Sequence, residues 1–270
     1  MDNRQIGIFD SGVGGLTVMA AIAKLMPEER LVYLGDTARL PYGTKSPDTV
    51  SRYAVQATRA LMRFDVKLIV VACNTASAVA LPVLTAALAP VPVIGVVEPG
   101  ARAAIAATRN GRIAVIATEG TVRGGAYVRA IHALKADAQV EQKACPLFVA
   151  LAEEGWTDGE VPERAAERYL APLFAGRDAP DTLVLGCTHF PLLAGAIARA
   201  ARGVRLVDSA ETTAAEVAHL LDARGMRRTG ERQAAIFLAT DAADRFARVG
   251  SQFLGHRIEP DQVEIVDLTP

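Results

Sequence analysis

An α/β fold, with two similar pseudo-symmetric lobes of mainly parallel sheet and a site in the cleft between them, is predicted by three features of the sequence. Short apolar runs alternate with helical patterns along almost all of the 270 residues, the ordering that yields parallel sheets covered by helices. Hydrophobic residues make up 51% of the chain but aromatics only 5%, so the core is built from Ala, Val, Leu and Ile. One segment also occurs twice, as Lys67-Leu-Ile-Val-Val-Ala-Cys73-Asn-Thr and as Thr182-Leu-Val-Leu-Gly-Cys187-Thr-His. Each copy is an apolar run of strand length that ends in a cysteine and polar side chains before a small-residue helical stretch, the usual place for a ligand in an open α/β sheet.

The elements follow in order. Residues 6–9 form the first strand, and Asp10-Ser-Gly-Val-Gly-Gly-Leu is a Gly-rich turn from it into a helix. Counting from Gly12, the third position is Gly14 but the sixth is Thr17, so the dinucleotide fingerprint fails. The turn instead suits free backbone N–H groups and the Ser11 hydroxyl facing a small anion, with Asp10 beside them to orient an ammonium or a thiol. A second strand at 31–34 leads into a loop with Asp36 as a turn former and with Tyr42 and Gly43 positioned to close over a cleft. Ser46 and Pro47 launch a helix whose apolar positions Val50, Tyr53, Ala54, Ala57, Leu61 and Phe64 recur at spacings of three and four.

Residues 68–97 carry no charge and would span a bilayer as a single helix. Asn74, Thr75, Ser77, Pro82, Pro90 and Pro92 interrupt them, so the segment reads as strand 68–72, helix 77–88 and strand 93–96. The pattern then restarts, because Arg112-Ile-Ala-Val-Ile-Ala-Thr118-Glu-Gly echoes Gln5-Ile-Gly-Ile-Phe-Asp10-Ser-Gly. Strands follow at 183–185, 204–207 and 235–239, with Ser209 as the cap of a helix running through Glu216 and Leu220 toward Gly225. Crossings near 97–100 and around Asp208 divide the chain into a first lobe, 1–97 plus 208–270, carrying Asp10 and Cys73, and a second, 98–207, carrying Thr118 and Cys187. Two crossings enclose a cleft able to hinge, and one thiol from each lobe suits chemistry on both faces of one carbon.

Cys73 and Cys187 each stand where a helix is expected to begin, and exposed N–H dipoles there favour thiolate, with His189 as a neighbouring base. The same cysteines with His189 and Asp10 are also a donor set for zinc, or a redox dithiol. No C-x-x-C or H-x-x-x-H pair supplies the local spacing of either, and on the residues alone both readings stay open. Cys145 lacks polar followers and reads as a buried structural residue. The run Phe148-Val-Ala-Leu-Ala-Glu153-Glu154-Gly-Trp ends in two carboxylates between which the residues do not choose. Three cysteines fit a reduced compartment, and a strand that starts so early leaves no room for a signal peptide, so a soluble cytoplasmic protein is expected. A net charge of −1 without a Lys/Arg run argues against nucleic acid or an anionic membrane as partner.

Taken together, Gly7-Ile-Phe-Asp-Ser-Gly-Val-Gly-Gly-Leu-Thr, Tyr33-Leu-Gly-Asp-Thr-Ala-Arg-Leu-Pro-Tyr-Gly, Val71-Ala-Cys-Asn-Thr-Ala-Ser and Leu185-Gly-Cys-Thr-His-Phe-Pro-Leu resemble the glutamate racemases. The resemblance implies cofactor-independent interconversion of L- and D-glutamate, without a metal, for peptidoglycan synthesis, in a homodimer. By the same resemblance Cys73 handles the α-proton of D-glutamate with Asp10 assisting, Cys187 handles that of L-glutamate with His189 assisting, and Glu153 acts nearby. Substrate contacts carry over to Asp10, Ser11, Tyr42, Gly43, Asn74, Thr75, Thr118, Thr121, Thr188 and His189. Lysine at a comparable strand end, as a Schiff base would need, is missing from these motifs. The alternatives are a racemase of the same superfamily acting on aspartate or another small amino acid, and a thiol redox or metal-binding protein.

Overall fold

The computed structural model describes residues 2–268. Its strands are β1 (Gln5–Asp10), β2 (Leu31–Gly35), β3 (Val66–Val71), β4 (Val93–Gly95), β5 (Arg112–Ala117), β6 (Gln139–Ala144), β7 (Thr182–Gly186), β8 (Arg205–Asp208), β9 (Ile236–Ala239) and β10 (Val263–Ile265). They build a six-stranded sheet of order β10-β9-β2-β1-β3-β4 and a four-stranded sheet of order β6-β5-β7-β8. Every pairing is parallel, so each connection is a crossover and the helices fall between strands. These are α1 (Leu16–Leu25), α2 (Pro47–Leu61), α3 (Asn74–Leu88), α4 (Val97–Ala107), α5 (Glu119–Gly124), α6 (Ala126–Leu134), α7 (Leu147–Glu153), α8 (Glu160–Leu170), α9 (Ala194–Ala200), α10 (Ser209–Ala223) and α11 (Ala243–Leu254).

The central strands β1, β3 and β7 are buried along their whole length, which is why each reads as an unbroken apolar run. Strands β6 and β10 were not expected. Both lie at a sheet edge and are largely half-buried or exposed, so Gln139-Val-Glu-Gln-Lys-Ala lacks the apolar continuity of a central strand. The Ser46 side chain caps α2, accepting from the Thr49 N–H, with Pro47 in its first turn. Helix α3 begins at Asn74 rather than at 77, so Asn74, Thr75 and Ser77 form its first turn and do not interrupt a connection. Ser209 is not a cap either: Asp208 is, its Oδ1 accepting from the Ala210 N–H at 2.6 Å, and Ser209 opens α10. Among the described residues no helix is long and apolar enough to cross a membrane.

One charge lies inside a central strand. Lys67, expected just before β3, is its second residue and is fully buried. Its Nζ sits 2.7 Å from Glu29 Oε2 and donates to the carbonyls of Asp2 at 3.0 Å and Met226 at 2.7 Å. Two donors of the ammonium thus reach carbonyls and its charge is paired with the carboxylate, while the Arg228 N–H donates to Glu29 Oε1 at 2.9 Å. This pair ties the segment that follows α10 to the first sheet, from which β9 and β10 then continue. Removing one partner strands a buried charge, so Lys67→Met is expected to lower unfolding stability by about 3–5 kcal/mol. The double replacement Lys67→Met with Glu29→Leu should lose less than the single one, with urea midpoints as the measurement.

Candidate active site

Strand β1 ends at Asp10 and α1 opens at Leu16, so the glycine-rich turn lies between them. Asp10 is buried, and its Oδ2 accepts from the Gly12 N–H at 2.9 Å. The sequence suggests free N–H groups for an anion here, but that of Gly12 is engaged inside the turn. Tyr33, buried in β2, donates from its hydroxyl to the Gly12 carbonyl at 3.0 Å and fixes the same turn. Burial raises the Asp10 carboxyl, although the His189 charge and backbone N–H groups pull it back. A side chain at Gly14 would put its Cβ 2.5 Å from His189 Nδ1, so only glycine allows the turn of one sheet to approach the histidine of the other.

Cys73 follows β3 and is the N-cap of α3, its Sγ accepting from the Ala76 N–H at 3.4 Å and lying 3.5 Å from Ser11 Oγ. Burial, then the Asp10 charge, push its thiol up to about 12, against the lowering pull of Ser11 and the Ala76 N–H. The expectation that the helix terminus would favour thiolate therefore fails here, because desolvation outweighs two hydrogen bonds. Cys187 follows β7 but no α-helix opens on it: a 3₁₀ turn at Phe190–Leu193 intervenes before α9. Its partner is a side chain, with His189 Nδ1 3.8 Å from Cys187 Sγ.

His189 Nε2 lies 3.1 Å from Glu153 Oε1, and Arg245 Nη2 donates to Glu153 Oε2 at 2.8 Å. Burial lowers the imidazole, but its hydrogen bonds to Cys187 and Glu153 prevail and raise it to about 10. Burial raises the Glu153 carboxyl, yet His189 and Arg245 hold it below the usual carboxylate range. The geometry thus puts Glu153 on the histidine, while Glu154 is exposed at the end of α7. The two cysteines differ in kind. Cys73 lies near the buried Asp10 carboxyl, whereas Cys187 lies against the His189 imidazole.

Both line one cavity of about 350 Å³, together with Ser11, Tyr42, Gly43, Asn74, Thr75, Thr118, Glu153, Thr188 and His189. That volume lies within the usual range for small-molecule sites, about 300–1,000 Å³. The buried Asn74 amide lines it with no hydrogen-bond partner among the described residues, as expected of a group that meets a ligand. Thr75, Thr118 and Thr121 join their hydroxyls in a triangle of 3.0, 3.2 and 3.1 Å. Thr121 is fully buried and, like Asp10, does not line the cavity. The Tyr42 hydroxyl donates to Asp36, which also accepts from Arg39 Nε at 2.7 Å and Thr240 Oγ1 at 3.0 Å. Asp36 is accordingly a buried hub and more than a turn former, and its hold on Tyr42 sets Gly43 against Thr118.

A model of the Asp/Glu/Hydantoin racemase family matches residues 11–217. The chain belongs to that family. A glutamate racemase of Geobacter metallireducens is 53% identical over 260 residues, 94% of each chain. The crystal structure of glutamate racemase isoform RacE1 from Bacillus anthracis matches with a TM-score of 0.93 at 38% identity, covering 99% of both chains. That of glutamate racemase from Francisella tularensis in complex with D-glutamate gives 0.92 at 36%, again over 99% of both. The racemase fold, an isomerase fold of two mainly parallel sheets, is thus that of these relatives.

Several walls of this racemase cavity had no local signal in the sequence. Pro146, Val149 and Ala150 line it from the start of α7, and that apolar run looks like any core helix until its neighbours are known. Arg245, on α11 and far along the chain, lies off the cavity wall and reaches the site only through Glu153, a contact with no local signal. Cys145, read as structural, is buried outside the cavity wall, and all three cysteines are free. Among the described residues no group of three or more His, Cys, Asp or Glu is arranged to hold a metal ion.

Burial and the Asp10 charge, which push the Cys73 thiol up, leave it little thiolate at pH 8. Cys73 is therefore expected to react with iodoacetamide far more slowly than a free thiol at that pH. Asp10→Asn removes a charge that raises Cys73 and should speed its alkylation, measured by peptide mass mapping. An unchanged rate in the variant would remove Asp10 from the control of this thiol.

Proposed function

We propose that this racemase interconverts L- and D-glutamate without a cofactor, using Cys73 and Cys187 as two bases on opposite faces of the α-carbon. The observation that carries the reading is that matched strands of two separate sheets, β3 and β7, each end on a thiol at the same cavity. In the L-to-D direction the Cys187 thiolate, paired with protonated His189, takes the α-proton. The electron pair left on carbon spreads into the carboxylate, and the Cys73 thiol delivers a proton to the other face. The reverse direction exchanges the two roles. Ser11, Asn74, Thr75 and Thr188 supply donors for the carboxylate charge that grows in the transition state, and Asn74 is the one already unpartnered.

The accessory groups divide in the same way. Asp10 assists Cys73, and His189 with Glu153 assists Cys187. Tyr42, Gly43 and Thr118 contact substrate, while Thr121 serves through the threonine triangle. The lobes are 1–97 plus 208–270 and 98–207, so hinging at the two crossings admits and encloses the amino acid. The enzyme works as a homodimer in the cytoplasm, where its thiols stay reduced, and its product feeds peptidoglycan synthesis. These assignments rest on the motif resemblance.

Purified protein incubated with L-glutamate, L-aspartate and other L-amino acids, with and without chelator, is expected to lose optical rotation with glutamate and to be indifferent to chelation. Racemisation of aspartate instead would move the chain to a different substrate, and restoration by zinc after chelation would revive the metal reading. Cys73→Ala and Cys187→Ala should each reduce turnover by roughly 10³-fold or more, at unchanged circular dichroism, because each face loses its acid or base. Near-normal turnover in either variant would refute the two-cysteine assignment.

Isotope transfer tests the same mechanism by another route. In D₂O, early D-glutamate formed from L-glutamate should carry deuterium at the α-carbon while the remaining substrate stays protiated. Two bases in separate sheets cannot readily return the original proton to the product. Substantial protium in the product at low conversion would show that a single base serves both faces.

A further inference from the structure

Helix α11 belongs to the segment that returns to the six-stranded sheet, yet it reaches the histidine that serves the other sheet's cysteine. Arg245 Nη2 donates to Glu153 Oε2 at 2.8 Å, and the second oxygen of the same carboxylate lies 3.1 Å from His189 Nε2. Phe253, further along α11, packs edge-on against the His189 ring with centroids 4.9 Å apart. Glu153 is thus gripped from both sides. Its orientation, and through it that of the imidazole facing Cys187, depends on a residue from outside its own lobe.

We propose that Arg245 is a positioning residue for the Cys187 half of the reaction, holding the Glu153 carboxylate where its other oxygen fixes His189 against the thiol. The inference rests on the two-base reading above for its effect on turnover, but not for its effect on the thiol. Arg245 touches no wall of the cavity and is half-exposed, its side chain 46% accessible against 18% for Glu153. It therefore acts through Glu153 and not on substrate, and solvent screening keeps its effect moderate.

The groups facing the histidine can be named from each element around it. They are Asp10 at the end of β1, Cys187 after β7 and Glu153 on α7, with Arg245 on α11 facing Glu153. Loss of the guanidinium frees the Glu153 carboxyl to rise. On acidification the carboxylate then protonates earlier and His189 loses its partner at a higher pH. Where protonation of Glu153 sets the acid limb of a process that needs the Cys187–His189 pair, that limb moves up accordingly.

Arg245→Met is expected to lower kcat/KM for glutamate about three- to tenfold and to move its acid limb to higher pH, with Arg245→Lys restoring most of both. Alkylation of Cys187 by iodoacetamide, followed against pH, should show the same upward movement without any turnover. In a Glu153→Gln background, Arg245→Met should have no further effect on either readout. A wild-type profile in Arg245→Met would overturn the inference, as would equal losses in the Met and Lys variants at an unmoved acid limb. A wild-type protein inactive on glutamate would sink the functional reading, while the alkylation profile still decides the role of Arg245.

Discussion

Desolvation of ionisable groups at the seam between two sheets is the constraint on which the site depends. Asp10, Cys73, Cys187 and His189 are all buried around one cavity, where charge survives only beside a partner. Burial and then the Asp10 charge push the Cys73 thiol up, while burial lowers His189 but its hydrogen bonds to Cys187 and Glu153 prevail and raise it. Two halves with similar strands thereby give their thiols different surroundings. The difference follows from the neighbour each thiol was given, Asp10 and Ser11 for Cys73 and His189 for Cys187.

Close backbone approach makes that seam tight. At Gly14 the turn after β1 lies against His189, and at Gly43 the loop after β2 lies against Thr118, where a Cβ would come within 2.9 Å of the threonine Cβ. Each contact joins the first sheet's loops to residues of the second. Asp36 supports the second contact from beneath, through Tyr42, Arg39 and Thr240. The last of these belongs to the segment after β9, so the returning part of the chain braces the loop that faces the cavity.

The return itself is anchored by a buried ion pair. Lys67 and Glu29 hold Met226 and Arg228 against the first sheet, which sets the path into β9 and, beyond it, α11. From there Phe246 packs edge-on against Tyr33, whose hydroxyl fixes the Gly12 carbonyl, while Arg245 and Phe253 address Glu153 and His189. One helix thus backs both the Asp10 turn and the His189 pair.

Sequence alone determined the alternation of strand and helix, the two cysteine-ended strands, the Ser46 cap and the motif set that resembles the glutamate racemases, because period, breakers and buried apolar runs are local properties. Edge strands β6 and β10 escaped, since a strand with one free edge needs no continuous apolar run. The cap at Asp208 and the burial of Lys67 escaped too, as each depends on the partner waiting in space. Tertiary structure alone decided which of two adjacent glutamates meets His189, that Asp10 and Thr121 stand off the cavity wall, and that Cys73 is pushed toward thiol where the helix terminus by itself favours thiolate. Ionisation is a property of the surroundings, and at this site they are assembled from segments as distant in the chain as residues 10, 73, 153, 187 and 245.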